Sequence, residues 1–313
     1  MTGVFLTIDT ELSSGLHRRG LTLAENQMKC IDAQCAEGDF GVRYQARRLA
    51  DAGLKAVFFV DPMPALIYGT EFLKPLIADM LSHGHEVQLH LHTEWLDLIE
   101  RPPVAGRGPH ICLFDTTEQV ALISCAAELL CGAGAPEPIA FRAGNYGADD
   151  RTLRALSRIG IGFDTSFNPV YRNEQCRISL GVDQIEPILH ESVVELPVTC
   201  IVDWPGHIRH AQLRALSSWE MRSALEQAVA SGQTAFTIVS HSFELIARGP
   251  QRPRGEVVRR FEALSRLLAA NREDMPTLGY ADITPAAMLA TAEPTRLSPN
   301  PVRTALRMLS QSR

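Results

Sequence analysis

Over most of its length the chain alternates short apolar runs of strand type with longer segments of helical spacing. That alternation restricts it to a mainly parallel sheet with helices packed outside. Residues 4–8, 54–60, 86–91, 139–142, 161–166, 193–196 and 234–242 read as strands, and 277–283 is strand-like. Between them, helical spacing covers 42–52, closed by Gly53, and 71–82, ended by Gly84. Asp115 with Glu118 three residues on forms a capping-box pattern that opens a helix to about residue 130. Further helices are predicted at 149–158, stopped by Gly160, at 219–230 and at 254–271. About seven strands without a break in composition predict a single α/β (β/α) barrel over residues 1–290.

Three stretches escape this pattern. Residues 12–39 are polar and long, which suggests an excursion over an active face. Residues 172–190 have no clear period, and 102–109 form a turn-rich loop. The tail, 291–313, carries Arg296, Arg303, Arg307 and Arg313 with apolar residues between them. It is expected to fray, or to make a weak contact with a membrane surface or a partner.

Composition excludes several functions. A net charge of −6 and a pI near 5.9 give no basic field for a nucleic-acid backbone. Asp9 interrupts the first apolar run before a signal-peptide core or membrane span could form, so a cytoplasmic protein is expected. Seven cysteines without a close CxxC pair read as reduced thiols.

The polar residues fall in a regular place. A parallel barrel gathers the C-terminal ends of its strands on one face. Asp9 and Glu11 end the first strand and Asp61 the second. His90 to Glu94 end the third, Arg142 to Tyr146 the fourth, Asp164 the fifth and His241 the last clear one. In GHEVQLHLHTEW, period-two geometry puts His90 and His92 on one face, while a helical turn would instead bring His90 to Glu94. Either arrangement offers imidazole with carboxylate, the donor set of Zn²⁺ or a similar divalent ion. Such a rim suits metal-assisted hydrolysis, with Asp9 as general base, His241 as general acid, Arg142 holding Asp9 ionised, and Tyr146 or backbone N–H groups receiving an oxyanion.

The order of these motifs resembles the polysaccharide deacetylase family, carbohydrate esterase family 4. TIDTE at 7–11 is similar to its first motif, and KAVFFV followed by GHEVQLH to the approach to its histidine motif. FRAGNYG at 141–147 is similar to its arginine motif, FDTS around Asp164 to its fourth, and IVSHS, ending past His241, to its last. The resemblance implies a distorted barrel that hydrolyses the N-acyl group, acetyl in the first instance, of an amino sugar or glycan precursor. Asp9, His241, Arg142 and Asp164 would be catalytic and Asn145, Tyr146 and Trp95 would meet substrate, with Trp204 a further ring face. Thr10 stands where the family usually has its second aspartate, so the metal-binding acid would be Glu11. The usual second histidine is Glu94 here, so either His92 or Glu94 completes a site begun by His90. These departures resemble a branch found with surface-polysaccharide and lipopolysaccharide biosynthesis, whose substrate would be a nucleotide-linked or lipid-linked sugar. Hydrolysis of another non-peptide C–N bond, or a silent sugar-binding relative, would fit the same residues.

Overall fold

The computed structural model describes residues 1–247, 252–289 and 293–311. Its strands, in chain order, are β1 (Gly3–Thr10), β2 (Gln34–Cys35), β3 (Gly38–Asp39), β4 (Val57–Val60), β5 (Glu86–Leu91), β6 (Ala140–Ala143), β7 (Phe163–Asp164), β8 (Ile188–His190), β9 (Val193–Glu195), β10 (Cys200–Trp204), β11 (His207–His210) and β12 (Ala235–His241). Eight of them form one sheet in the order β12-β1-β4-β5-β6-β7-β9-β8. All neighbours are parallel except the edge strand β8, which runs against β9. The expected barrel of about seven parallel strands is therefore present, in distorted form. Among the described residues its edge strands β12 and β8 do not pair with each other. Instead the chain beside the β10–β11 hairpin covers the free edge of β12, with Thr199 N donating to Thr237 O at 3.2 Å and Val239 N to Ala211 O at 2.9 Å.

The helices are α1 (Ser14–Arg18), α2 (Leu23–Cys30), α3 (Val42–Asp51), α4 (Ala65–Tyr68), α5 (Lys74–Ser82), α6 (Thr116–Gly132), α7 (Asp150–Ile159), α8 (Ser218–Ala230), α9 (Gly255–Ala270), α10 (Pro285–Met288) and α11 (Pro301–Gln311). The Asp115–Glu118 capping box opens α6 as the spacing predicted, and Gly160 ends α7 in the left-handed region at φ 87°. None of the described helices is long and apolar enough to cross a membrane.

Two apolar clusters hold the layers together. The larger packs α3, α5, α6, α7, α8 and α9 against the outer face of the sheet. The smaller fills the barrel, where Phe5, Phe59 and Phe163 surround Tyr280 at ring separations of 5.2, 5.9 and 5.5 Å. Residues 277–283, read as strand-like, make a single bridge at Thr277 and then a 3-10 turn. The buried carboxylate of Glu86 captures that turn by accepting from Tyr280 N at 3.0 Å and Ala281 N at 3.1 Å, and Tyr280 becomes the plug of the barrel floor.

The polar stretch 12–39 folds as α1, α2 and the β2–β3 hairpin, pinned where Ser13 and Asn26 exchange hydrogen bonds of 3.0 and 2.9 Å. The tail departs from its expected fraying. The boundary placed at 290–291 and Arg313 lie outside the described residues, but α11 docks on the body through Arg307, which is buried. Its Nη1 donates to Glu220 at 2.7 Å and its Nη2 to Asp203 at 2.8 Å.

Candidate active site and metal centre

Register alone brings the polar strand ends together. Asp9 is the β-ladder partner of His241, and His90 is the partner of Arg142. With β1 between β12 and β4, and β5 between β4 and β6, the C-terminal ends form one continuous rim.

At its centre is a buried ion pair. Arg142 Nη1 donates to Asp9 Oδ1 at 2.6 Å, and the guanidinium also lies 4.5 Å over the Phe59 ring and donates through Nε to Thr165 O at 3.3 Å. Burial works against the charge of Arg142, but Asp9 outweighs it and holds the guanidinium above its ordinary pKa. Asp9 is thus oriented by a cation that cannot leave.

Beside this pair, Glu11, His90 and His92 converge so that one ligand atom from each lies within 4.8 Å of the others. His90 Nε2 is 3.2 Å and His92 Nε2 2.5 Å from Glu11 Oε2, and the two Nε2 atoms are 3.1 Å apart. On its far side His90 Nδ1 meets the carbonyl of Arg142 at 2.7 Å, so that Nδ1 donates and Nε2 keeps its lone pair toward the cluster. His92 Nδ1 meets Glu94 Oε2 at 3.1 Å in the same way. Glu94 therefore braces His92 from behind, and the cluster itself is Glu11, His90 and His92. Burial alone would raise the pKa of Glu11, but the charge of His92 and hydrogen bonds from both imidazoles take it well below the ordinary value. The pKa of His92 is driven well above its own ordinary value, against burial, chiefly by Glu11. The cluster presents two nitrogens and a carboxylate oxygen to one point, and the donor set fits a divalent ion.

The backbone beneath is shaped for close approach. A Cβ on Gly144 would stand 2.7 Å from both His92 Nδ1 and the Leu91 carbonyl. Gly144→Ala is expected to displace His92 and weaken divalent-ion binding roughly 10–100-fold, as loss of a ligand's support does; competition with a chromophoric chelator measures it. The next two residues are left-handed, Asn145 at φ 55° and Tyr146 at φ 57°, a strain of about 1–3 kcal/mol each. Asn145 is exposed, but its amide is spent on Glu94 Oε1 at 2.7 Å and Pro109 O at 3.4 Å. Tyr146 stacks on Tyr171 at 5.5 Å, and burial with the charge of Asp9 pushes its phenol up, so it stays protonated.

On the other flank His241 stands with 25 % of its side chain exposed, its Nδ1 3.7 Å from the buried Glu244. Burial alone would lower it, but Glu244 and the charges of Asp9 and Glu11 carry it up to about 9. A relay of polar side chains backs it, from Asn168 through His210 to Gln212, whose Nε2 is 3.3 Å from His241 Nδ1.

Two expected site residues lie elsewhere. Trp95 is fully buried because the chain turns into a 3-10 helix after His92 and rotates the indole into the core, so it offers no ring face to a sugar. Asp164 is also fully buried and accepts from Ser166 N and Oγ at 2.9 and 2.8 Å, with Ser166 Oγ in turn accepting from Ala143 N. It supports the β6 end from below and touches no open space. Glu195 next to it is pushed well above the ordinary carboxylate range by burial and by Asp164. Trp204 is exposed at the end of β10. Sequence reading missed Tyr171, Asn168, His210 and Gln212, which lie in stretches where it predicts neither strand nor helix.

The fold and rim define a (β/α)-barrel protein with an imidazole–carboxylate centre at the C-terminal ends of its strands. The chain matches no family model and no curated protein. Among solved structures, a candidate polysaccharide deacetylase from Mycobacterium smegmatis is similar at TM-score 0.61 and 16% identity, with 94% of each chain covered. A 4-alpha-glucanotransferase from Thermococcus litoralis gives 0.53 at 11% identity over 95% of this chain and 39% of that one. A family 4 carbohydrate esterase from Streptomyces lividans, solved with acetate, gives 0.46 at 12% identity over 96% and 98%. The distorted barrel of this chain is the fold it shares with the polysaccharide deacetylase.

Proposed function

We propose that the chain is a member of the polysaccharide deacetylase family and a metal-dependent hydrolase that removes an N-acyl group, acetyl in the first instance, from an amino sugar or glycan precursor. The observation that carries this reading is the pairing of Asp9 with His241 across adjacent strands, beside the Glu11, His90 and His92 cluster. The five motifs in family order and the shared fold support it.

A divalent ion such as Zn²⁺, held by Glu11, His90 and His92, would polarise the acyl carbonyl and make a water acidic enough to attack at neutral pH. Asp9, oriented by the hydrogen bond from Arg142, is the group placed to accept a proton from an attacking water. His241 is protonated below about 9 and stands ready to give a proton to the departing amine. Tyr146, protonated and next to Asp9, supplies a hydrogen bond for the oxyanion. Glu94 and Asn145 keep His92 in place throughout.

The test uses leaving groups. His241→Ala is expected to slow release of an amino sugar by roughly 10²–10⁴-fold and to leave an acetate ester of a nitrophenol far less affected, since that leaving group needs no proton. Equal slowing of both substrates would remove His241 from the acid role.

A further inference from the structure

Asp61 ends a strand at the same rim and has no part in the arrangement above. It follows β4, which lies between β1 and β5. Val60 pairs with Thr10 on one side and with Leu89 on the other, and Asp61 N donates to Thr10 O at 3.0 Å. One residue further along, Glu11, Asp61 and His90 therefore stand at a common level with Asp61 in the middle. Phe59, two residues earlier, belongs to the cluster inside the barrel, and alternation along the chain turns Asp61 toward the same side.

Its carboxylate is half used. Oδ1 accepts from Met63 N at 3.1 Å and lies 3.5 Å from His92 N. Oδ2 has no hydrogen-bond partner among the described residues, although the residue is only 2% exposed. A buried carboxylate oxygen without a hydrogen bond is expensive to keep, and such atoms mark the place of an ion or an ordered water.

The geometry points to Asp61 as a supporting group of the cation site: it stands outside the 4.8 Å cluster of Glu11, His90 and His92, and its Oδ2 would accept from a water on a divalent ion held by those three. The inference rests on the metal-centre reading proposed above. It gives the site a second carboxylate to balance a dication, with two imidazoles to favour a transition ion over Mg²⁺ or Ca²⁺.

Cobalt(II) titration of metal-free protein tests it, with visible absorption reporting coordination and chelator competition reporting affinity. The proteins compared are wild type, His90→Ala, Asp61→Asn and Asp61→Ser, the last keeping an acceptor for Met63 N, with circular dichroism to confirm folding. Wild type should bind one ion and His90→Ala should lose it. Both Asp61 variants should bind roughly 10–100-fold more weakly. Because Oδ2 acts through water, the cobalt bands of these variants should hold while affinity falls. Folded Asp61 variants that bind within about twofold of wild type would overturn the role of Asp61 and leave the metal centre standing, whereas wild type that takes up no cobalt would overturn both.

Discussion

Asp9→Asn is expected to lower turnover by roughly 10²–10⁴-fold while the protein still folds and still binds one divalent ion. The amide keeps an oxygen where Oδ1 accepts from Arg142 Nη1, so the hydrogen bond survives. What is lost is the basicity of the group and the countercharge to a fully buried guanidinium. Arg142 retains Thr165 and the Phe59 ring, which limits the damage to the fold. Asp9→Ala would be harsher. It removes the acceptor as well, and breaking a buried pair in this way costs about 3–5 kcal/mol. Asp9 is not among the Glu11, His90 and His92 donors, so ion affinity should change little in Asp9→Asn. Steady-state hydrolysis of an N-acetylated amino sugar, run beside cobalt titration, separates the two effects. Undiminished turnover in Asp9→Asn would show that another group takes the proton.

The sequence carries more of the rim than of its surroundings, for a physical reason. In a parallel sheet, strand ends meet whatever the loops do, so an ionisable residue just past an apolar run is already placed. That is why Asp9, Arg142 and His241 could be picked out without a structure, and why Asp9 and His241 turn out to be ladder partners. Asp61 was legible as a strand end, but nothing in a string of residues says that one of its oxygens is buried without a hydrogen-bond partner among the described residues. The choice between His92 and Glu94 was open for a similar reason. It depends on the chain staying extended through His92 at φ −106° before the 3-10 turn begins, a matter of one residue. The same turn buries Trp95. Tyr171, His210 and Gln212 reach the site on segments whose conformation comes from long-range contacts, such as the chain flanking the β10–β11 hairpin lying along β12, and no local period announces them.

The docking of α11 is the clearest case of a contact invisible to local patterns, and it sets the second large effect. Arg307→Ala should destabilise the protein by about 3–5 kcal/mol, because it leaves Asp203 and Glu220 in a site where all three side chains are no more than 3% exposed. Its partners lie 104 and 87 residues away in sequence. Arg209 also donates to Asp203 Oδ2, at 2.9 Å, so the larger share of the cost should fall on Glu220. Val302→Ala on the exposed side of the same helix should change stability by no more than about 0.5 kcal/mol. The acid limb carries a second signature. Burial by itself would raise Asp203, but hydrogen bonds from His207, Arg209 and Arg307 and the charge of Arg209 bring it down to about 2. With a folded pKa below the unfolded value of about 3.9, Asp203 stabilises the fold fully above that value, and the contribution fades as pH falls toward 2. Removing Arg307 brings the folded pKa back toward the unfolded one, so the variant should lose less stability than wild type between about pH 4 and 2. Urea unfolding followed across that range measures both the offset and its pH dependence. Parallel pH curves for the two proteins would mean that Arg307 does not hold Asp203 ionised.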